Sequence, residues 1–365
     1  MKRSPRARAA RGRSLVGERF EAEVGPVAHG GHCVARVGDE GRVVFVRHAL
    51  PGERVVVEVT EGTEGDRFWR GDAVEVLSAS ADRVTPPCPY AGPGRCGGCD
   101  FQHVRLERQR DLKADVVREQ LRRLAGLEVD VTVDPVPGDQ DGLRWRTRQR
   151  YVPLPGGRKG MRKHRSHEVV EIDDCLIAAP TGPSYAVLGR HFEVADDGFW
   201  QVHPGAATVL VETVLDLLAP RPGESALDLY AGVGLFARFL GEAVGDVGRV
   251  VVVEADRAAA DRAATNCPGA EVTAGPVERV LTASPPEPVD LVVLDPPRTG
   301  ARRAVVEQVA ARTPRAVAYV ACDPAALARD VATFAEQGYR LTALRAFDLF
   351  PMTHHVECVA LLEKS

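Results

Sequence analysis

The pattern that begins near residue 205 limits this chain's fold more than any other feature. Short apolar runs at Ser225–Leu229, Arg249–Glu254, Asp290–Leu294 and Ala316–Val320 alternate with Ala-rich helical segments. Such alternation predicts a parallel, doubly wound sheet, because parallel neighbours need a crossover and the crossover helices cover both faces. The expected fold class is α/β, with a Rossmann-like domain over residues 201–365. Two later runs, Leu341–Leu349 and His355–Leu362, predict a hairpin at the sheet edge.

The first predicted strand closes with Asp228-Leu229-Tyr230-Ala231-Gly232-Val233-Gly234. Two glycines let backbone pass close to a ligand, and the following helix offers free N–H groups. The third glycine of the dinucleotide fingerprint is missing, since Ala237 holds its place. The second strand ends in Glu254, where an acid can accept hydrogen bonds from ribose hydroxyls. The third runs into Asp295-Pro296-Pro297-Arg298. Any one of these acids alone also reads as an ordinary loop carboxylate. Together, at successive strand ends, they favour a methyl-donor site over a nicotinamide site.

Cys322 follows an apolar strand in Ala321-Cys322-Asp323-Pro324. A thiol at the carboxyl end of a parallel strand faces the cleft, where helix-terminal fields are expected to lower its pKa. The alternative is a buried small hydrophobe. Glu357 sits in an otherwise apolar run, Val356 to Leu362, which suits a general base with a raised pKa; an edge-strand charge is the alternative. A nucleophilic thiol and a base are what methylation of uracil C5 demands. Thiolate addition at C6 makes C5 nucleophilic, and a base must later remove the C5 proton. An N- or O-methyltransferase needs no such cysteine.

The 365 residues suggest two or three domains. Short Val-rich runs at Phe20–Val24, Val43–Val46, Arg54–Thr60 and Gly71–Leu77 predict a small β-barrel over 14–79. Residues 83–100 are rich in Pro, Gly and Cys, and a helix is expected from Val104 to Ala125. A β-rich insert is expected over 129–195. The domains expected are a basic disordered tail (1–13), the barrel (14–79), a central α+β domain (80–200) and the α/β domain (201–365). Net charge is only −4, yet nine Lys/Arg and no acid lie between Arg144 and Arg165, a concentration that suits a phosphate backbone or a solvated face. Trp145 and Tyr151 lie among these charges and could stack on bases or pack. No apolar run approaches the roughly 20 residues of a membrane span, and no secretory pattern follows the Lys2–Arg13 segment. The location expected is cytoplasmic, with no membrane partner. Cys88, Cys96 and Cys99 form C-x7-C-x2-C, and Cys175 follows 76 residues on. Without a secretory pattern a disulfide framework is not expected; four thiolates suit zinc or iron–sulfur, and the short C-x2-C also suits a redox pair.

These motifs, in this order, resemble the uracil-5 RNA methyltransferase family. The resemblance spans most of the chain and rests on Phe199-Trp200-Gln201-Val202-His203-Pro204, Asp228–Gly234, Asp295–Arg298, Ala321–Pro324 and Phe350–Glu357. It implies that Gln201, Tyr230, Glu254 and Asp295 contact S-adenosylmethionine, that Cys322 is the nucleophile and that Glu357 is the base. It implies a TRAM-like, RNA-binding barrel, and a [4Fe–4S] cluster on Cys88, Cys96, Cys99 and Cys175 as in the rRNA-modifying branch. The expected partner is RNA, 23S rRNA before tRNA. Three positions depart from the family's usual residues: His203 for Asn, Ala231 for Cys and Ala321 for Ser. Two other classes compete: a cytosine C5-methyltransferase, which would typically carry Pro before its nucleophile, and a non-catalytic iron–sulfur RNA-binding protein.

Overall fold

The computed structural model describes residues 12–139 and 141–365. All but Gly12 and Arg13 of the expected basic tail lies outside them. The described residues form two compact units, one of those up to 109 with 150–175 and 352–354, the other of those from 110 to 149 with 176–351 and 355–365.

The first unit begins with five strands, β1 (Arg19–Ala28), β2 (His32–Val37), β3 (Arg42–Arg47), β4 (Arg54–Glu61) and β5 (Phe68–Ser78), closed into a barrel in the order β1-β2-β3-β5-β4. Alternation drives closure: Val44, Val46, Val55, Val57 and Val59 all point inward and are buried. Strand β2 was missed by the sequence pattern, because His32, Cys33 and Arg36 hide its alternation. Next come α1 (Leu106–Ala125) and β6 (Val133–Pro135). Strands β7 (Val152–Pro153), β8 (Lys159–Arg162) and β9 (Val169–Ile172) then form a small antiparallel sheet within the first unit.

In the second unit a short hairpin, β10 (Ala186–Val187) and β11 (Arg190–His191), precedes α2 (Ala206–Leu218). The α/β array follows: β12 (Ser225–Leu229), α3 (Leu235–Val244), β13 (Arg249–Glu254), α4 (Arg257–Asn266), β14 (Glu271–Ala274), α5 (Val277–Ala283), β15 (Leu291–Leu294), α6 (Arg302–Ala311), β16 (Ala316–Ala321) and α7 (Pro324–Glu336). Strands β17 (Tyr339–Asp348) and β18 (Glu357–Lys364) complete an eight-stranded sheet of order β14-β13-β12-β15-β16-β18-β17-β6. The expected doubly wound α/β fold is present. Successive residues of β15 and β16 feed two cores, one on each face: Leu291, Val293, Ala316, Ala318 and Val320 on one, Val292, Leu294, Val317, Tyr319 and Ala321 on the other. That two-sided burial is why these strands read as unbroken apolar runs.

One expectation needs correction. The β17–β18 hairpin is not at the sheet edge, because β6 adds to β17 in parallel through Val133, Asp134 and Pro135. Within the stretch 80–200, residues 110–149 and 176–200 group with the second unit. Ala114, Val117, Leu121, Val131 and Val133 pack into one of the two cores beside the sheet.

Candidate active site

Five of the residues singled out from sequence converge at one end of the sheet. Tyr230 follows β12, Glu254 ends β13, Asp295 follows β15 and Cys322 follows β16. These four lie at carboxyl ends of parallel strands, where α/β sheets bind ligands. Glu357 opens β18, which runs the other way. Its register pairs Ala321 with Cys358. Cys322 and Glu357 are the next residues outward, and Cys322 feels the Glu357 carboxyl. Gln201 lies half-buried in the loop before α2.

The turn after β12 is tightly built. Tyr230 sits at φ 62°, a left-handed conformation that a non-glycine residue adopts only under constraint. Gly234, at φ 86°, could not carry a side chain, since a Cβ would come within 2.4 Å of Cys267 Sγ. Glu254 ties the turn down by accepting from Gly232 N at 2.8 Å and Asp256 N at 2.7 Å. Those bonds leave it less free for ribose hydroxyls than sequence suggests.

The site is strongly electronegative. Asp228 is fully buried; one oxygen accepts from Ala237 N at 2.8 Å and the other has no partner. Burial, with lesser help from Asp295 and Glu254, pushes its pKa up to about 8. Asp295 is pushed up to about 7 by burial and then Glu254. Glu357, 4% exposed, is held well above the carboxylate range by burial and then Asp295. A cationic ligand suits such a site, because its charge would relieve the repulsion. The expected lowering of the Cys322 pKa is corrected for the ligand-free chain. Burial, then Glu357 and Asp295, push that thiol up to about 12, and Arg298 opposes them weakly. Burial is the largest cause, and the neighbouring carboxylates add to it.

The Asp228 shift fixes a sign. A carboxyl with a folded-state pKa raised to about 8 stabilises the fold below its unfolded value and loses that contribution as pH rises through 8. Asp228→Asn keeps the acceptor for Ala237 N and removes the charge. Its thermal midpoint without ligand should exceed that of the unsubstituted chain at pH 8.5 and match it at pH 4. Equal midpoints at both pH values would refute the assignment.

The roles of several supporting residues come from packing, and Asp330, Lys113 and Asp348 among them were not singled out from sequence. His203 is buried, stacks on Trp145 at 6.0 Å between ring centroids and accepts from Gly205 N through Nδ1, steadying the start of α2. Trp145 is thus a packing residue and not a base-stacking one. Trp200 also packs, against Tyr185 and Phe192, and donates to Ser184 O. Neighbouring Phe199 is 71% exposed. Asp330 accepts from Tyr319 Oη, Ala301 N and Arg302 N, anchoring the start of α6. Lys113, fully buried on α1, pairs with buried Asp348 and donates to Phe350 O at 3.1 Å. Arg298 lies 3.3 Å from His355.

In the first unit, none of the four paired-spacing cysteines is in a disulfide. The thiols of Cys88, Cys96 and Cys99 are all raised by burial, and all three feel Cys175. Gln102 donates to Cys99 Sγ at 3.5 Å. Among the described residues no group of three or more His, Cys, Asp or Glu side chains is arranged to hold a single metal ion. The basic stretch is divided: residues 144–149 belong to the second unit and 150–165 to the first. Arg148 is committed there, to Gly198 O and Tyr185 Oη. Among the described residues, no helix is long and apolar enough to cross a membrane.

A doubly wound sheet with a glycine turn, acids at successive strand ends and an apposed thiol and carboxyl defines the class: a methyltransferase of the S-adenosylmethionine-dependent type. Residues 13–74 match the TRAM domain family, and residues 288–365 match the family described as tRNA (Uracil-5-)-methyltransferase. An uncharacterized RNA methyltransferase of Streptomyces avermitilis is 46% identical over 95% of this chain and 99% of its own length. The 23S rRNA (uracil(1939)-C(5))-methyltransferase RlmD of Alkalilimnicola ehrlichii is 31% identical over 97% of this chain and 98% of its own. In fold, the chain is similar to the Pyrococcus abyssi tRNA (uracil-54, C5)-methyltransferase solved with S-adenosyl-L-homocysteine, with TM-score 0.68, 21% identity and coverage of 94% and 100%. The chain belongs to the RNA uracil-5-methyltransferase family.

Proposed function

We propose that this enzyme methylates C5 of a uridine in 23S rRNA, with Cys322 as nucleophile and Glu357 as base. The apposition of Cys322 and Glu357 across β16 and β18 carries the reading. S-adenosylmethionine, when bound, supplies an electrophilic methyl group. Cys322 as thiolate adds to uracil C6, opening the C5–C6 double bond and making C5 nucleophilic. Once C5 carries the methyl, Glu357 takes the C5 proton, the double bond reforms and the C6–S bond breaks. Both groups act deprotonated, and burial raises the pKa of both in the free chain, so the initial rate of methylation should rise with pH. Gln201, Tyr230, Glu254 and Asp295 are the residues we assign to the cofactor.

The 23S rRNA substrate is supported by the name of the Alkalilimnicola relative. A tRNA uridine is the second reading, favoured by the family description that residues 288–365 match. We assign Cys88, Cys96, Cys99 and Cys175 to a [4Fe–4S] cluster. A zinc ion would draw four sulfurs to about 2.3 Å from one point. A four-iron cluster spreads its cysteines wider.

Protein purified without oxygen should transfer labelled methyl from S-adenosylmethionine to total RNA. Recovery of 5-methyluridine in 23S rRNA is the expected result; label in tRNA alone would overturn the substrate, and no label the mechanism. The same preparation should be brown and contain about four iron and four sulfide per chain. Stoichiometric zinc would overturn the cluster.

A further inference from the structure

The first unit holds an open cavity of about 560 Å³ lined by Arg150–Pro153, Met161–Arg165, Gly97 and Gly98. The volume is in the range of small-ligand sites. No carboxylate lines it, while Arg150, Arg162, Lys163 and Arg165 all do. Lys163 is paired with Glu168 at 2.6 Å, and Arg165 lies 3.5 Å from Glu61. Arg150 is exposed. His164 adds no charge, because burial lowers its pKa to about 4. Tyr151 brings an aromatic ring, with Lys159 Nζ 4.8 Å from its centroid, and Met161 an apolar wall.

One wall is the cysteine turn. Gly97 N donates to Arg162 O at 3.0 Å, and Cys96 bridges to Lys163. The approach is so close that a Cβ on Gly97 would stand 2.4 Å from His164 N. A concave surface with cations, one aromatic ring and no acid matches the needs of an unpaired nucleotide, whose phosphate is anionic and whose base offers a π-face to any aromatic.

We propose that this cavity binds one unpaired nucleotide of the RNA substrate, with phosphate toward Arg150 and Arg165 and base against Tyr151 and Met161. The proposal rests on the RNA methyltransferase reading and adds a subsite to it. The cysteine turn then shapes RNA binding through its backbone, without entering the chemistry.

The test uses the full-length protein with its cysteine-bound group intact and a fluorescein-labelled oligouridylate of about twelve nucleotides, read by anisotropy. The Arg150→Glu/Arg165→Glu variant should lose at least about tenfold in affinity, and its salt dependence should become shallower by about 1.4 log units per log unit of salt. Tyr151→Ala should lose about tenfold with the salt slope unchanged. Calorimetric affinity for S-adenosylmethionine should be the same in all, which reports an intact fold in the second unit; circular dichroism and visible absorption report the first. Unchanged RNA affinity in both variants would overturn the subsite alone. Unsubstituted protein that takes up the cofactor but no RNA would overturn the subsite and the RNA reading together.

Discussion

Cys322→Ala should abolish methyl transfer, by at least about four orders of magnitude, while RNA and S-adenosylmethionine still bind. Cys322 is the group assigned to add to C6, and alanine leaves the strand end in place. Glu357→Gln should slow turnover by about 10²–10⁴-fold, the range for loss of a positioned base. The two variants should also differ in kind. Without Glu357 the C5 proton cannot leave, so Cys322 stays bonded to C6. Denaturing gels of Glu357→Gln incubated with RNA and cofactor should show a slow-migrating covalent complex, which Cys322→Ala never forms. Normal turnover by Cys322→Ala would sink the covalent mechanism. A Glu357→Gln variant with normal turnover would return that residue to a packing role.

The second large effect is on stability. Lys113→Met should destabilise the second unit by about 3–5 kcal/mol, because it leaves the Asp348 carboxylate buried without its cation. Asp348 also has an oxygen with no partner, so little else there would absorb the charge. Adding Asp348→Asn to Lys113→Met should recover a good part of the loss, which a simple cavity at Lys113 would not allow. Urea unfolding of the two variants and the unsubstituted chain measures this directly. The pair also fixes the approach to Glu357, since Lys113 holds Phe350 O and Asp348 ends β17. Methylation by Lys113→Met should therefore fall even where the chain remains folded. Equal stability of Lys113→Met and the unsubstituted chain would show the pair to be worth nothing.

By itself the sequence determined the parts governed by local periodicity and local chemistry. Strands β12, β13, β15 and β16 were legible because each is buried on both faces and reads as an apolar run. The glycine turn, the acids at strand ends and Cys322 were legible because their place follows from the strands that carry them. Short strands were not legible. Strand β6 has three residues, and only β17, two hundred residues on, gives it a partner. Strand β14 is mostly exposed and lacks an apolar pattern.

What tertiary structure decided was apposition and desolvation. Nothing in the sequence says that β18 inserts between β16 and β17, and only that register sets Glu357 against Cys322. Lys113 and Asp348 lie 235 residues apart, and neither announces that it is buried. The run Arg144–Arg165 looks uniform on paper, yet folding commits Arg148 to carbonyl and hydroxyl partners and places Arg150, Arg162 and Arg165 around a cavity. The direction of the Cys322 shift was misjudged for the same reason. A pKa is set by which charges come within a few ångströms and how much water is excluded, and both are properties of the packed chain.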